Sequence, residues 1–114
     1  MAIRRFEDII AWQKSKDLTT EVYGHFKNSR NYSFKDQIQR ASVSIMNNIA
    51  EGFERKSNKE FKQFLFISKG SCGEVRSMLH LANELEYITK ETANKLSDKS
   101  IEISRMLSGF IKQL

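Results

Sequence analysis

His25, His80 and Cys72 are the residues of this sequence whose side chains could serve acid-base or nucleophilic chemistry. The two histidines fall in different predicted helices. Neither belongs to an HExxH or Glu-x-x-His pattern, so each reads as a surface or packing residue. Cys72 lies in a run of small residues, where a buried thiol is the default, and no base is placed to activate it. As the one cysteine of the chain it can form no intramolecular disulfide, and it lacks the companions of a zinc cluster. Glu51, Glu54, Glu60 and Glu74 could gather in space, but the histidine-bearing motifs of di-iron bundles are missing. There is no Walker loop and no Gly-x-Gly-x-x-Gly fingerprint. The expectation is a chain with no catalytic residue, metal or cofactor; an uncharacterised hydrolase is an alternative without positive support.

Two polar constellations are more informative. Arg40, Ser44, Asn47, Asn48 and Glu51 fall along one side of a helix, bordered by apolar stripes. If covered, such groups need partners, so they read as a network within the fold, a network between subunits or a ligand site. The second constellation is basic: Arg55, Lys56, Lys59 and Lys62, with Lys69 and Arg76 farther along. The formal net charge is +5, and residues 27–76 hold ten basic and five acidic groups, while the flanking segments are each neutral. That excess reads either as a solvated face or as a surface for phosphate contact. Phe53 and Phe61 stand nearby and could stack on unpaired bases, although their helical spacing favours packing.

The elements that must position these residues are four helices. No proline interrupts the chain, so capping residues and glycines must separate them. The first is expected over residues 10–27, with Trp12, Leu18, Val22 and Phe26 on its buried face and Ala11 and Ser15 above, while Phe6 and Ile9 pack the incoming chain. Ser33, with Asp36 three places on, is expected to cap the second. That helix carries two apolar stripes, Ile38-Ala41-Ile45-Ile49 and Val43-Met46-Ala50-Phe53, as if covered on two sides. Ser57 and Glu60 form a capping box for the third, where Gly70 and Gly73 are expected to mark close helix packing. Thr89 caps the fourth, whose seam runs Ala93, Leu96, Ser100, Ile103, Leu107, Phe110 and Leu114. Short connections make each helix reverse beside its predecessor. The predicted fold is all-α, an antiparallel up-down-up-down four-helix bundle forming one domain over residues 1–114.

No apolar run approaches the length of about 18 residues that a membrane span needs, and the apolar patch after Arg4 and Arg5 is too short for an export signal. A cytoplasmic protein that neither spans nor binds a membrane is expected.

Phe6-Glu7-Asp8-Ile9 with Trp12, the run Gln37-Ile38-Gln39-Arg40-Ala41-Ser42-Val43-Ser44-Ile45, and Asn48-Ile49-Ala50-Glu51-Gly52 together resemble the proteins associated with intervening sequences in bacterial 23S ribosomal RNA genes. The pattern Phe61-x-x-Phe64-Leu65-x-Ile67-Ser68-x-Gly70-Ser71-x-x-Glu74 extends the match over nearly the whole chain. The resemblance implies a four-helix bundle and a ring-like homopentamer, and it makes Arg40, Asn48, Glu51 and Gly52 structural or interface candidates. A related accessory protein of diversity-generating retroelements has a positively charged barrel that meets nucleic acid and reverse transcriptase. The expectation is therefore a non-enzymatic homo-oligomeric scaffold associated with structured RNA through its basic surface. A protein-only adaptor for a nucleic-acid-processing enzyme is the alternative.

Overall fold

The computed structural model describes residues 3–114; Met1 and Ala2, the start of the segment read above as too short for export, lie outside the described residues. After a 3-10 turn at Phe6–Asp8, four helices follow: α1 (Ile10–Phe26), α2 (Tyr32–Phe53), α3 (Asn58–Glu84) and α4 (Lys90–Gln113). The connections 27–31, 54–57 and 85–89 are too short to do anything but reverse the chain. The result is an antiparallel up-down-up-down bundle. Each helix packs on its chain neighbours and α1 closes on α4.

The buried faces follow the expected periodicity. Leu18, Val22 and Phe26 of α1 meet Ile38, Ile45 and Ile49 of α2, Leu65, Val75 and Leu79 of α3 and Leu96, Ile103 and Leu107 of α4, all essentially inaccessible to water. Burying each such side chain stabilises the fold by roughly 1.5–3 kcal/mol, which is what orders helices that would be marginal alone. Phe6 packs edge-on against Trp12 at 5.2 Å and Ile9 is buried beneath them, as expected for the incoming chain. Glu21 of α1 takes ion pairs from Lys95 and Lys99, and Lys14 pairs with Glu102, so charge as well as apolar contact joins α1 to α4.

Hydroxyl groups link the consecutive helices inside the core. Thr19 donates to the carbonyl of Ser42 at 3.1 Å, Ser68 to that of Ile45 at 2.7 Å, and Ser100 to that of Cys72 at 2.8 Å. Each buried oxygen thereby finds an acceptor, and small side chains let the helix axes come near.

The caps of α3 and α4 are those expected: Ser57 accepts from the Glu60 amide at 3.2 Å, and Thr89 from the Thr92 amide at 3.1 Å. The cap of α2 is not. Asn31, rather than Ser33, accepts from the Phe34 amide at 3.1 Å, while Ser33 lies exposed in the first turn and Asp36 pairs with Arg40. Asparagine is itself a strong N-cap. The Asn31 amide also donates to the Tyr87 hydroxyl at 2.9 Å, and the Tyr87 ring packs on Phe34, so the far loop reinforces Asn31 as cap. At the end of α3 the chain turns with Glu86 at φ 62°. The Tyr87 and Glu86 amides then return to the carbonyls of Ala82 and Asn83, a Schellman arrangement in which glycine is usual.

Gly70 and Gly73 do not mark close helix packing within the chain. Nothing stands within 4 Å of where a Cβ would sit at either, because both face away from α2 and α4. The close approach is at Gly52, where a Cβ would lie 2.6 Å from Phe64 Cβ and 2.9 Å from Phe61 Cδ1.

Candidate nucleic-acid interface

The turn between α2 and α3 is built from Gly52 outward. With no side chain at that position, α2 ends against the phenylalanines of the first α3 turns, and the four-residue connection can carry Arg55 and Lys56 to the bundle end. Arg55 is committed there: it pairs with Glu51 at 2.7 Å and lies over the Phe64 ring at 4.8 Å. Lys56 is exposed, beside an open cleft of about 890 Å³ that Ile9, Ile10, Phe53, Phe61 and Phe110 also line.

From the Ser57 cap, α3 presents Lys59, Lys62, Lys69 and Arg76 along one outward stripe, at offsets of three or four residues once Phe66 and Gly73 are included. Lys62, Lys69 and Arg76 are half-buried. Among the described residues, none of these four cations, nor Lys56, has a carboxylate within ion-pair distance, in contrast to Arg40 and Arg55. Glu60 and Glu74 fall about 100° around the helix from the stripe, so its sign is not balanced from its own helix.

Phe53 and Phe61 pack rather than face solvent. Phe61 meets Phe53 and Phe110 edge to face, at 6.0 and 5.3 Å, and is buried. The exposed aromatic of this face is Phe66, 58% accessible. Sequence reasoning passed over it. The available signal was its register, four after Lys62 and three before Lys69, off the buried row of Phe61, Leu65, Ser68 and Cys72.

The polar side of α2 is divided. Asn48 donates to the Ser44 carbonyl and hydroxyl at 2.8 and 2.9 Å, and Ser71 of α3 donates to the same hydroxyl at 2.9 Å. Arg40, Asn47 and Glu51 are exposed, and together with Tyr23 and Val43 they line a shallow outward groove. Val43, Met46, Ala50 and Phe53 are all half-buried.

The reactive residues are not brought together. His25 and His80 are exposed on α1 and α3. Cys72 is fully buried, and burial pushes its thiol up to about 11 in spite of Ser100 and the positive charges of Lys69 and Arg76. Among the described residues no three histidine, cysteine or acidic side chains stand close enough to hold a metal ion. No helix among them is long and apolar enough to cross a membrane.

The model of the 23S rRNA-intervening sequence protein family matches residues 7–109. The chain belongs to that family. A further likeness agrees with this membership of the 23S rRNA-intervening sequence proteins. The crystal structure of a protein of unknown function from the S23 ribosomal protein family of Bacteroides thetaiotaomicron superposes with a TM-score of 0.84 at 27% identity, over 90% of this chain and 98% of that one. No curated protein matches the sequence. Gly52, Asn48 and Glu51, on which the resemblance rested, thus lie where α2 meets α3 and where the basic turn begins.

Proposed function

We propose that this protein is a non-enzymatic, homo-oligomeric scaffold that associates with RNA through the outward face of α3. The observation that carries the reading is the stripe of Lys59, Lys62, Lys69 and Arg76 without carboxylate partners, extended at the bundle end by Lys56 and Arg55. Cations left unpaired on one side of a helix attract a polyanion and release its counterions on contact. The family's name and that of its structural neighbour both refer to ribosomal RNA or the ribosome, which supports RNA as the polyanion.

Binding of a structured RNA should weaken steeply with salt. Four phosphate contacts give about 50-fold loss or more between 50 and 200 mM salt, by the counterion slopes of single or double strands. Replacing Arg55, Lys56, Lys59 and Lys62 with glutamate should remove most of the affinity while leaving the circular dichroism of the helices intact. Tight binding that survives those substitutions refutes the role given to this surface.

A second reading, a protein-only adaptor for a nucleic-acid-processing enzyme, draws on a different observation: Ile67, Leu81 and Leu85 are about half exposed. Recovery of one protein partner from nuclease-treated cytoplasm, with no RNA bound by the purified chain, would favour it. The homo-oligomer, with five subunits on family grounds, is supported by the half-buried Val43, Met46, Ala50 and Phe53, whose remaining apolar surface a neighbouring subunit would cover.

A further inference from the structure

The α3 face carries one feature that electrostatics alone does not use. Phe66 is 58% accessible, in a helix that buries Phe61 to 7%. A single exposed apolar side chain is ordinary on a protein surface and carries nothing by itself. Its neighbours make this one different. Lys62 stands four residues before it and Lys69 three after, so a cation flanks the ring on each axial side at the separation of about 5–6 Å between Cβ atoms that helical neighbours have. Beyond Lys69 the stripe opens at Gly73, where nothing lies within 4 Å of the missing Cβ, before Arg76 closes it. Read along the helix, over about 26 Å, the order is cation, cation, ring, cation, gap, cation.

We propose that Phe66 is a stacking platform for unpaired bases and that Lys62 and Lys69 hold the phosphates on either side of the stacked nucleotide, so that this face takes single-stranded RNA in preference to duplex. The proposal rests on the RNA-associated reading of the same surface and adds the class of RNA. Every base has a π-face, and stacking on an exposed aromatic is sequence-tolerant. In a duplex those faces are already covered by neighbouring base pairs, and an A-form helix offers proteins its shape, its phosphates and its 2′-hydroxyls instead. A ring between two lysines therefore matches a strand whose bases can turn outward. The stripe suits a polyanion better than a second copy: a twofold contact here would set Lys62 and Lys69 against their own counterparts, and in a ring, where different faces meet, the neighbour would have to bring carboxylates to this one.

The test compares an unstructured RNA strand with the duplex formed from it and its complement, by fluorescence anisotropy across a salt series, with native mass measured on the same samples. Phe66→Ala should weaken strand binding about 5- to 150-fold, the range found when a stacking aromatic is truncated. The salt slope should not change, since the ring releases no counterions, and duplex binding should be unaffected. Phe66→Trp should retain strand binding and show indole quenching by the strand, with Trp12 of the parent chain as the unquenched control. Equal strand binding by Phe66→Ala and the parent overturns the stacking role while leaving the RNA reading intact. So does a loss that is the same for strand and duplex, or a drop in native mass without a change in RNA affinity. Failure of the parent chain to bind either RNA overturns the RNA reading and this proposal with it.

Discussion

At Gly52 a single methyl group is enough to disturb the bundle. An alanine Cβ would stand 2.6 Å from Phe64 Cβ, an atom fixed to the α3 backbone, so the side chain cannot turn aside and the helices must part. Overpacking of this kind costs about 1–3 kcal/mol or more, which outweighs the helix propensity of roughly 1 kcal/mol that alanine adds over glycine. Gly52→Ala is therefore expected to lower the urea midpoint, and an unchanged or higher midpoint would contradict the contact. Cys72 makes a prediction of another kind. The folded chain holds the thiol proton more tightly than the unfolded chain, so the associated stability is complete below the ordinary value of 9.0 and is lost as pH rises toward about 11. That loss amounts to on the order of 2 kcal/mol and should be absent in Cys72→Ala, so unfolding curves of the two chains should converge or cross over that range. The Cys72 burial was legible in the sequence because it continues an apolar row. The exposure of Phe66 was legible only in its register, against a phenylalanine-rich composition that suggests a core residue.

Helices were legible where local chemistry decides them. Ser57 and Thr89 cap α3 and α4 through hydrogen bonds spanning three residues, a distance over which sequence pattern is sufficient. The cap of α2 is of the same local kind, Asn31 accepting from the Phe34 amide three residues on, but Ser33 offers a competing cap two places later, and the Tyr87 contact that favours Asn31 comes from 56 residues away. The α3 glycines failed for a related reason. Periodicity located them in a helix with small neighbours but did not say whether their side faced inward, and the structure turns it outward. With open space at both positions, Gly70→Ala and Gly73→Ala should each stabilise α3 by about 1 kcal/mol, read as a raised thermal midpoint. A lowered midpoint, or a smaller native mass, would mean that a neighbouring chain packs against those backbones.

The molecule as a whole leaves α2 incompletely covered. Ile38, Ala41, Ile45 and Ile49 are buried by the chain's own helices, whereas Val43, Met46, Ala50 and Phe53 are half-buried. The sequence showed two stripes and the structure shows them differing in accessibility, but the number of subunits is not contained in one chain's packing. A carboxylate placed at the outer stripe should discriminate between roles. Met46→Glu is expected to reduce native mass across a dilution series while preserving most of the helical signal, since the unpaired charge would fall on a neighbour contact. Loss of helicity instead would assign Met46 to the bundle's own core. Monomer at high micromolar concentration in the parent chain would refute the assembly itself.

A seam of apolar residues repeating every three or four positions has a weakness: slide one helix along its neighbour by a turn, about 5.4 Å, and most of the contacts re-form. The Ser71 and Ser44 hydroxyls remove that near-equivalence between α3 and α2, since they bond to each other and no hydroxyl stands one turn along α2 in either direction. After a slip the buried Ser71 oxygen would lose that partner, at a cost of about 1–3 kcal/mol. The pair acts as a detent, giving α2 and α3 one axial phase where greasy packing alone would tolerate several. Gly52 beneath Phe64 needs that phase, and so does any partner that touches both helices at once, because it reads the offset between them as a fixed length.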